Sequence, residues 1–252
     1  MAVALTARRA GSLASSGAAA AAVVGTVCVA AGWAWGAVLV AYFVASSALS
    51  RVGADRKAAR TGGVVEKGGT RDATQVLANG GAFAAAALLS LTTGWPAWTA
   101  VGAGALAAAA ADTWATETGT LAGGTPRSVA TGRPVPPGTS GGVSLVGTLG
   151  GAAGAAFVAL LAALAGWPGP ARWAALVGGV SGMLADSLAG ATLQARRRCE
   201  RCGAATERLV HDCGGPTAHA GGIRWLDNDA VNVLCTLAGG AVGAAWARWP
   251  GT

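Results

Sequence analysis

The chain has 252 residues, of which 53% are hydrophobic and 12% are charged, and its formal net charge is +7. Soluble domains carry about 25% charged residues, so this composition excludes a soluble enzyme, a disordered chain and a disulfide scaffold. It predicts an all-α, polytopic integral membrane protein that forms a single domain over residues 1–252.

Seven apolar segments are long enough to cross a bilayer, which takes about 20 mostly apolar residues. Arg8 and Arg9 precede the first segment, as basic residues precede a signal peptide, but six more segments follow and we expect it to be retained. If it were removed, six transmembrane helices would remain. The predicted segments are 13–31, 34–50, 73–93, 97–119, 142–165, 172–194 and 229–247.

The distribution of charge predicts the orientation of these segments. Sixteen of the 18 lysine and arginine residues, and all eleven acidic residues, lie in the connections or segment ends on one side. Because lysine and arginine collect in cytoplasmic loops, the pattern predicts a multi-pass protein of the cell membrane with its N-terminus inside and its C-terminus outside. The basic excess is then explained by topology. We therefore expect contacts with membrane lipids and no nucleic-acid binding, with the chemistry at the cytoplasmic face.

Four segments carry polar side chains near their cytoplasmic ends. An ionisable group inside a membrane costs several kcal/mol unless it is paired or solvated. A single amide is explained by hydrogen bonding between helices, but carboxylates on several segments favour a shared polar site. Carboxylates without histidine suit Mg²⁺, which prefers oxygen ligands. The polar residues are Asp72, Gln75 and Asn79 in the third segment, Asp112 and Glu117 in the fourth, Asp186 and Gln194 in the sixth, and Asn228, Asp229 and Asn232 in the seventh.

A glycine-rich loop, residues 136–142, leads into the fifth segment. Its glycines let backbone N–H groups approach an anion, and the N-terminus of the following helix adds a favourable dipole. We expect Thr139 or Ser140 to cap that helix. The loop is not a Walker A sequence, because no Gly-Lys-Ser/Thr follows at the required spacing. Basic residues in the neighbouring connections, Lys67, Arg71 and Arg127, strengthen the prediction that it binds phosphate.

The connection 195–226 contains three cysteines and two histidines. Cys199, Cys202, His211 and Cys213 form a Cys₃His set, with His219 as a spare ligand. Four protein ligands leave no open position, which is typical of structural zinc. The alternative is three reduced thiols in an arginine-rich loop. We favour a structural zinc site within this cytoplasmic loop.

Several motifs together resemble an integral membrane family known as domain of unknown function 92, which includes transmembrane protein 19 and a phytyl phosphate kinase. The resemblance covers about residues 50–247, with the motifs in the expected order. The N-terminal segment is less distinctive, and the cysteine loop resembles a feature of some members. The motifs are Glu66–Asp72, Gln75–Gly80, Ala111–Glu117, Pro126–Arg127, Val135–Ser144, Asp186–Gln194 and Asp227–Asn232.

The resemblance implies a kinase that converts an isoprenoid (phytyl or prenyl) monophosphate to its diphosphate, with a nucleoside triphosphate, CTP or ATP, as donor. Phosphoryl transfer mainly needs positioning and charge neutralisation, which the polar residues are suited to provide. Asp112, Glu117 and Asp186, with Asp227 and Asp229 as further candidates, are expected to hold Mg²⁺. Lys67, Arg71 and Arg127 are expected to neutralise phosphate oxygens. The residues expected to contact the nucleotide or the prenyl phosphate are Pro137, Gly138, Thr139, Ser140, Gly141, Gly142, Gln75, Asn79, Gln194, Asn228 and Asn232.

Two other functions fit the residues. A CTP-dependent lipid cytidylyltransferase needs the same metal and triphosphate contacts, so the sequence does not separate it from a kinase. A transporter of a phosphorylated solute needs polar residues through the full depth of the membrane. Here the outer halves of the segments consist of Ala, Val, Leu and Gly, which favours an enzyme. The oligomeric state and the identity of the prenyl chain stay open.

Overall fold

The structure is a computed structural model that describes residues 2–64 and 69–248. The described residues form nine α-helices, one 3₁₀ turn and five short strands. The helices are α1 Ala2–Arg9, α2 Ser15–Ala31, α3 Trp33–Arg51, α4 Ala54–Thr61, α5 Ala73–Thr93, α6 Trp98–Ala122, α7 Leu145–Leu164, α8 Gly169–Thr192 and α9 Asn228–Trp246. The strands are β1 Arg127–Ser128, β2 Gly142–Val143, β3 Arg196–Cys199, β4 Ala205–Thr206 and β5 Thr217–Gly221.

Each of the seven predicted segments falls on one helix, and the prediction of an all-α fold is confirmed, with short strands confined to the connections. Five of these helices, α3, α5, α7, α8 and α9, are long and apolar enough to cross a membrane, and α2 is apolar but shorter, with 17 residues. The remaining helix, α6, is the longest at 25 residues. Its second half carries Asp112, Glu117 and several threonines, and α6 is not among the helices long and apolar enough to cross a membrane.

Helix α6 is the centre of the fold. It packs against α5, α7, α8 and α9, and residues 102–111 are buried. Close approach depends on glycine: a Cβ atom at Gly178 of α8 would lie 2.7 Å from the carbonyl oxygen of Gly239 in α9 and 3.1 Å from Cα of Gly104 in α6. Without a hydrophobic force between helices in lipid, such small residues allow the backbone contacts that hold a membrane bundle together.

The ends of the helices are fixed by polar side chains. Asp72 and Gln75 form a capping box at the start of α5, and Asp227 caps α9 by accepting a hydrogen bond from the Ala230 N–H at 2.9 Å. The expectation that Thr139 or Ser140 caps α7 is wrong, because Ser144 is the N-cap and accepts from the Gly147 N–H at 3.1 Å. The chain remains extended through β2, which pairs with β1, so the helix starts later.

The long connections meet at one end of the bundle, here called the charged end. Arg51 at the end of α3 donates to the Ala10 carbonyl at 2.7 Å, and α4 contacts the C-terminal part of α6 through Lys57 and Arg60. At the opposite end the connections are short and aromatic: Arg248 lies over the Trp95 ring at 5.7 Å. Polar groups are thus concentrated at the charged end of the bundle.

Candidate active site

Two carboxylates from neighbouring helices meet near the charged end. Asp112 of α6 and Asp186 of α8 are within hydrogen-bond reach of each other. Oδ1 of Asp186 is buried and has no hydrogen-bond partner within residues 2–64 and 69–248. Two adjacent carboxylates repel one another unless a cation or a proton lies between them. The pair therefore has the donor chemistry of a site for a hard divalent cation.

The glycine-rich loop lies directly against α8 beside this pair. Gly141 has a positive φ of 74°, and a Cβ atom there would lie 2.6 Å from the Ser187 carbonyl oxygen. A Cβ atom at Gly190 would in turn lie 3.0 Å from the Gly141 nitrogen. Only glycine combines this backbone conformation with this approach. The loop is thereby held one turn from Asp186.

The carboxylates and the loop enclose a cavity of about 200 Å³, here called the carboxylate cavity. The first turn of α7 lines it through Ser144, Gly147 and Thr148, so the positive end of that helix faces the cavity. Nine of the predicted site residues line it, namely Asp112, Asp186, Pro137, Gly138, Thr139, Ser140, Gly141, Gly142 and Asn228.

A second cavity of about 170 Å³, here called the apolar cavity, lies between α2, α3 and α5. Most of its lining is Val, Leu, Ala and Gly, but Arg71, Gln75 and Asn79 line it near the charged end. The Arg71 guanidinium donates to Ser47 Oγ at 2.9 Å and lies 5.8 Å from the centre of the Phe43 ring. The cavity therefore has one cationic end and a long apolar body.

The two cavities approach each other at Tyr42. This side chain lines the apolar cavity, is 8% exposed, and lies close enough to interact with both Arg71 and Asp112. Trp114, two residues after Asp112, donates to Ser46 Oγ at 3.2 Å, and Ser46 also lines the apolar cavity. Tyr42 thus lies within electrostatic range of both the cationic end of one cavity and a carboxylate of the other.

The predicted zinc ligands come together in the loop that follows α8. One ligand atom each from Cys199, Cys202, His211 and Cys213 lies within 4.8 Å of the others. Hydrogen bonding from the Cys202 backbone N–H, together with contacts from Arg201 and the other two thiols, lowers the pKa of the Cys199 thiol despite its burial. At Cys213 the backbone hydrogen bond from Gly215 lowers the thiol pKa, but the hydrogen bond with the Cys199 thiol and burial outweigh it, so the pKa of Cys213 is raised.

The chain matches the family described as integral membrane protein DUF92 over residues 1–240. It belongs to the DUF92 family.

Relatives in plants, archaea and cyanobacteria are similar to this chain. Protein PGR of Arabidopsis thaliana is 31% identical over 233 residues, covering 82% of this chain and 79% of the relative. An uncharacterized membrane protein of Methanocaldococcus jannaschii is 28% identical over 209 residues, which cover 81% and 73% of the two chains. An uncharacterized membrane protein of Synechocystis is 34% identical over 126 residues, 48% of each chain. No solved structure matches the chain.

The DUF92 assignment confirms that the chain is an integral membrane protein, in agreement with its apolar helices. The predicted resemblance to this family is therefore confirmed. The family description and the relatives' names state no reaction.

Several predicted residues of this DUF92 protein lie outside the carboxylate cavity. Glu117 forms an ion pair with Lys57, a buried lysine that also donates to the Ser50 carbonyl at 2.8 Å. Arg127 donates to the Gly132 carbonyl at 2.9 Å within its own loop. Arg71, Gln75 and Asn79 line the apolar cavity instead. Among the remaining predictions, Gln194, Asp227, Asp229 and Asn232 do not line either cavity, and Lys67 lies outside the described residues.

The structure adds residues that the sequence did not single out. Arg60 lines the carboxylate cavity and donates to the Thr120 and Leu121 carbonyls at 2.8 and 2.5 Å. Glu207 lines it from the cysteine loop and accepts a hydrogen bond from Ser140 Oγ at 2.5 Å. Thr116 also lines this cavity, and its position gave a signal in the sequence, because it lies one helical turn after Asp112. No signal in the sequence pointed to Glu207, since it is an acidic residue within an arginine-rich connection.

Proposed function

We propose that this DUF92 protein is a membrane-embedded, Mg²⁺-dependent isoprenoid phosphate kinase. It transfers the terminal phosphoryl group of a nucleoside triphosphate to a prenyl monophosphate. The observation that carries the proposal is the position of the Asp112–Asp186 pair. It lies beneath a glycine-rich loop on one side and beside an apolar cavity with a cationic end on the other.

Mg²⁺ fits the carboxylate pair, because Asp186 Oδ1 is buried without a partner in the described chain and both ligands are oxygens. When bound, the ion would neutralise charge on the phosphate oxygens of the donor. Asp112 and Asp186 would hold it from two helices that glycine contacts fix relative to one another. Glu117 supports this arrangement from one helical turn away, where its ion pair anchors α4 to α6.

The donor nucleotide would place its phosphates in the carboxylate cavity. The N-terminus of α7 lines this cavity beside the glycine-rich loop, and the dipole of that helix favours an anion there. Arg60 adds a positive charge to the lining of this cavity. CTP and ATP carry the same triphosphate, so these contacts suit either donor.

The acceptor would bind in the apolar cavity, with its prenyl chain among the aliphatic side chains and its phosphate at Arg71. In the transfer, an oxygen of the acceptor monophosphate forms a bond to the γ-phosphorus, and the bond from that phosphorus to the bridging oxygen breaks. A nucleoside diphosphate leaves and a prenyl diphosphate remains. A phosphate monoester is already ionised at pH 7, so the reaction needs no strong general base and depends on positioning and charge.

The orientation of the site belongs to the proposal as well. The charged end carries the long basic connections, and such connections face the cytoplasm. Nucleoside triphosphates are cytoplasmic, whereas the prenyl chain is dissolved in lipid. A site at the end of a membrane bundle gives both substrates access.

A lipid cytidylyltransferase is the second candidate, because the same cavity would bind CTP with its α-phosphate at the metal. The two reactions differ in their products: a kinase releases a nucleoside diphosphate, and a cytidylyltransferase releases pyrophosphate. A transporter is less favoured, because the polar lining of both cavities lies near the charged end and the far halves of the helices are apolar.

The test uses full-length protein purified in detergent, with Mg²⁺ and with phytyl or geranylgeranyl phosphate as acceptor. We expect label from γ-³²P-CTP or γ-³²P-ATP to appear in a lipid diphosphate, and no label to appear when the acceptor is the unphosphorylated alcohol or when EDTA is present. Incorporation from α-labelled CTP instead would replace the kinase by a cytidylyltransferase. Failure to bind any nucleotide would contradict both enzymes.

A further inference from the structure

The cysteine loop is built from two tight turns that face each other. In the first, Cys199 and Cys202 flank a turn in which the Gly203 N–H donates to the Cys199 carbonyl at 2.9 Å. In the second, the Gly214 N–H donates to the His211 carbonyl at 2.8 Å, next to Cys213. Each turn ends on a glycine with positive φ, 72° at Gly203 and 76° at Gly214. Both turns therefore present two side chains toward a common point.

The distances between these side chains match those of a tetrahedral metal site. Cys199 Sγ lies 3.5 Å from Cys213 Sγ, and Cys213 Sγ lies 3.7 Å from Cys202 Sγ. Cys202 Sγ lies 3.5 Å from His211 Nδ1. Zinc–sulfur bonds of about 2.3 Å at tetrahedral angles separate two sulfurs by about 3.8 Å. All three cysteines are free thiols, so a disulfide does not explain their proximity.

We propose that Cys199, Cys202, His211 and Cys213 bind one structural Zn²⁺ ion. Thiolate and imidazole ligands favour zinc over magnesium, which prefers oxygen. Four protein ligands complete the tetrahedron and leave no position for a substrate. The site is therefore chemically distinct from the carboxylate pair, and its existence does not depend on the proposed kinase reaction.

The metal would also fix Glu207 at the carboxylate cavity. Strand β4 pairs with β3, which ends at Cys199, and Glu207 follows β4 directly. The Glu207 N–H donates to the Val64 carbonyl at 3.0 Å, while its carboxylate accepts from Ser140 in the glycine-rich loop. The zinc-bound turns hold the strand that brings Glu207 to this loop. We assign Glu207 as a positioning residue for the glycine-rich loop, and this second step rests on the proposed function.

The first experiment measures metal content in full-length protein purified without chelators. We expect about one zinc per chain in the wild type and in the control Cys28→Ser, whose thiol is buried in the bundle away from the loop. Cys202→Ser, which changes an exposed thiol, should lose most of the zinc. Zinc-free wild type, or full zinc content in Cys202→Ser, would overturn the proposal.

A second measurement uses wild-type protein, so its result does not depend on whether the cysteine variant folds. Wild-type protein reconstituted with Co²⁺ should show the intense absorption of tetrahedral thiolate coordination, and Zn²⁺ should displace it. Trypsin should cleave the arginine-rich loop faster after zinc is removed with 1,10-phenanthroline. A cobalt spectrum without thiolate bands would contradict the ligand set.

Glu207→Gln separates the zinc site from the function of the loop. This variant should keep one zinc per chain, because Glu207 is not a ligand, and its KM for the nucleotide should rise several-fold with little change in kcat. A lowered zinc content would contradict the positioning role. Normal zinc content in a protein that never transfers phosphoryl groups would sink the proposed function and leave the zinc site standing.

Discussion

The two cavities of this DUF92 protein differ in how they are built. The carboxylate cavity lies among α6, α7 and α8, where glycine contacts bring backbones together and a loop with fixed dihedral angles forms one wall. The apolar cavity lies among α2, α3 and α5, and aliphatic side chains form most of its lining. Chemistry needs groups held at fixed distances, whereas a flexible prenyl chain needs apolar volume. Under the proposed kinase function, this difference corresponds to a division of work between the two cavities.

The largest effect is expected for the carboxylate pair. Asp112→Asn and Asp186→Asn each keep the side-chain volume but remove an anionic ligand. We expect each to lower kcat about 10²–10³-fold or more, as for loss of a group that stabilises transition-state charge. Radiolabel transfer to prenyl phosphate measures the effect. Asp55→Asn, an exposed position on α4, is the matched control and should stay near wild type. Near-normal rates in both site variants would show that the metal lies elsewhere.

The next prediction concerns the rigidity of the carboxylate half. A Cβ atom at Gly239 would lie 2.7 Å from Cβ of Ala108, so Gly239→Ala should push α9 away from α6. Such overpacking costs about 1–3 kcal/mol. We expect a Tm lower by several degrees in a tryptophan-fluorescence melt in detergent. Gly81→Ala in α5 has nothing within 4 Å of the new Cβ and should not lower the Tm. If Gly239→Ala and Gly81→Ala lowered the Tm equally, the two regions would not differ in how closely their helices pack.

Arg71 tests the cationic end of the apolar cavity. Arg71→Gln removes the charge expected to meet the acceptor phosphate, so the KM for prenyl phosphate should rise about tenfold, which corresponds to about 1.4 kcal/mol. The KM for the nucleotide should stay unchanged, because Arg71 does not line the carboxylate cavity. Arg51→Gln, at the same end of the bundle but outside both linings, serves as control. An increase in the nucleotide KM alone would place Arg71 with the donor.

The smallest effect is expected from filling the apolar cavity. Gly25 lines it, and its Cβ direction is open for 4 Å, so Gly25→Leu should occupy part of the volume. Each methylene group kept out of an apolar site costs about 0.8 kcal/mol. The KM should therefore rise several-fold for phytyl phosphate and stay near wild type for isopentenyl phosphate. An identical change for both acceptors would indicate that the prenyl chain binds elsewhere, and Gly81→Leu controls for the added bulk.

The sequence predicted the seven long helices, because a membrane chain marks them with continuous apolar residues. It also predicted that Asp112 and Asp186 belong together, since an isolated carboxylate at that depth is too costly. It did not predict the ion pair between Glu117 and Lys57, which joins residues 60 positions apart. Pairing of that kind depends on how α4 folds back on α6. No local pattern records this contact.

The sequence grouped the polar residues of four helices into one shared site. The structure separates some of them, for the same reason. Hydropathy places Asn79 and Asp186 at similar depth, but depth does not state which side of α6 a helix occupies. The structure separates them into different cavities. The start of α7 at Leu145 was also missed, because the pairing of β1 with β2 delays the helix and this pairing joins residues 14 and 16 positions apart. The metal-ligand spacing of the cysteine loop, by contrast, was visible as a local motif.

Helix α6 has a consequence for how the protein is made. It lies at the centre of the bundle, yet its polar second half leaves it outside the group of helices apolar enough to cross a membrane on their own account. A segment of this kind partitions into lipid weakly as it leaves the translocon. In the folded bundle α5, α7 and α8 pack against it. We therefore expect insertion of α6 to depend on cooperation with its neighbouring helices, because its own polar residues weaken its partition into lipid.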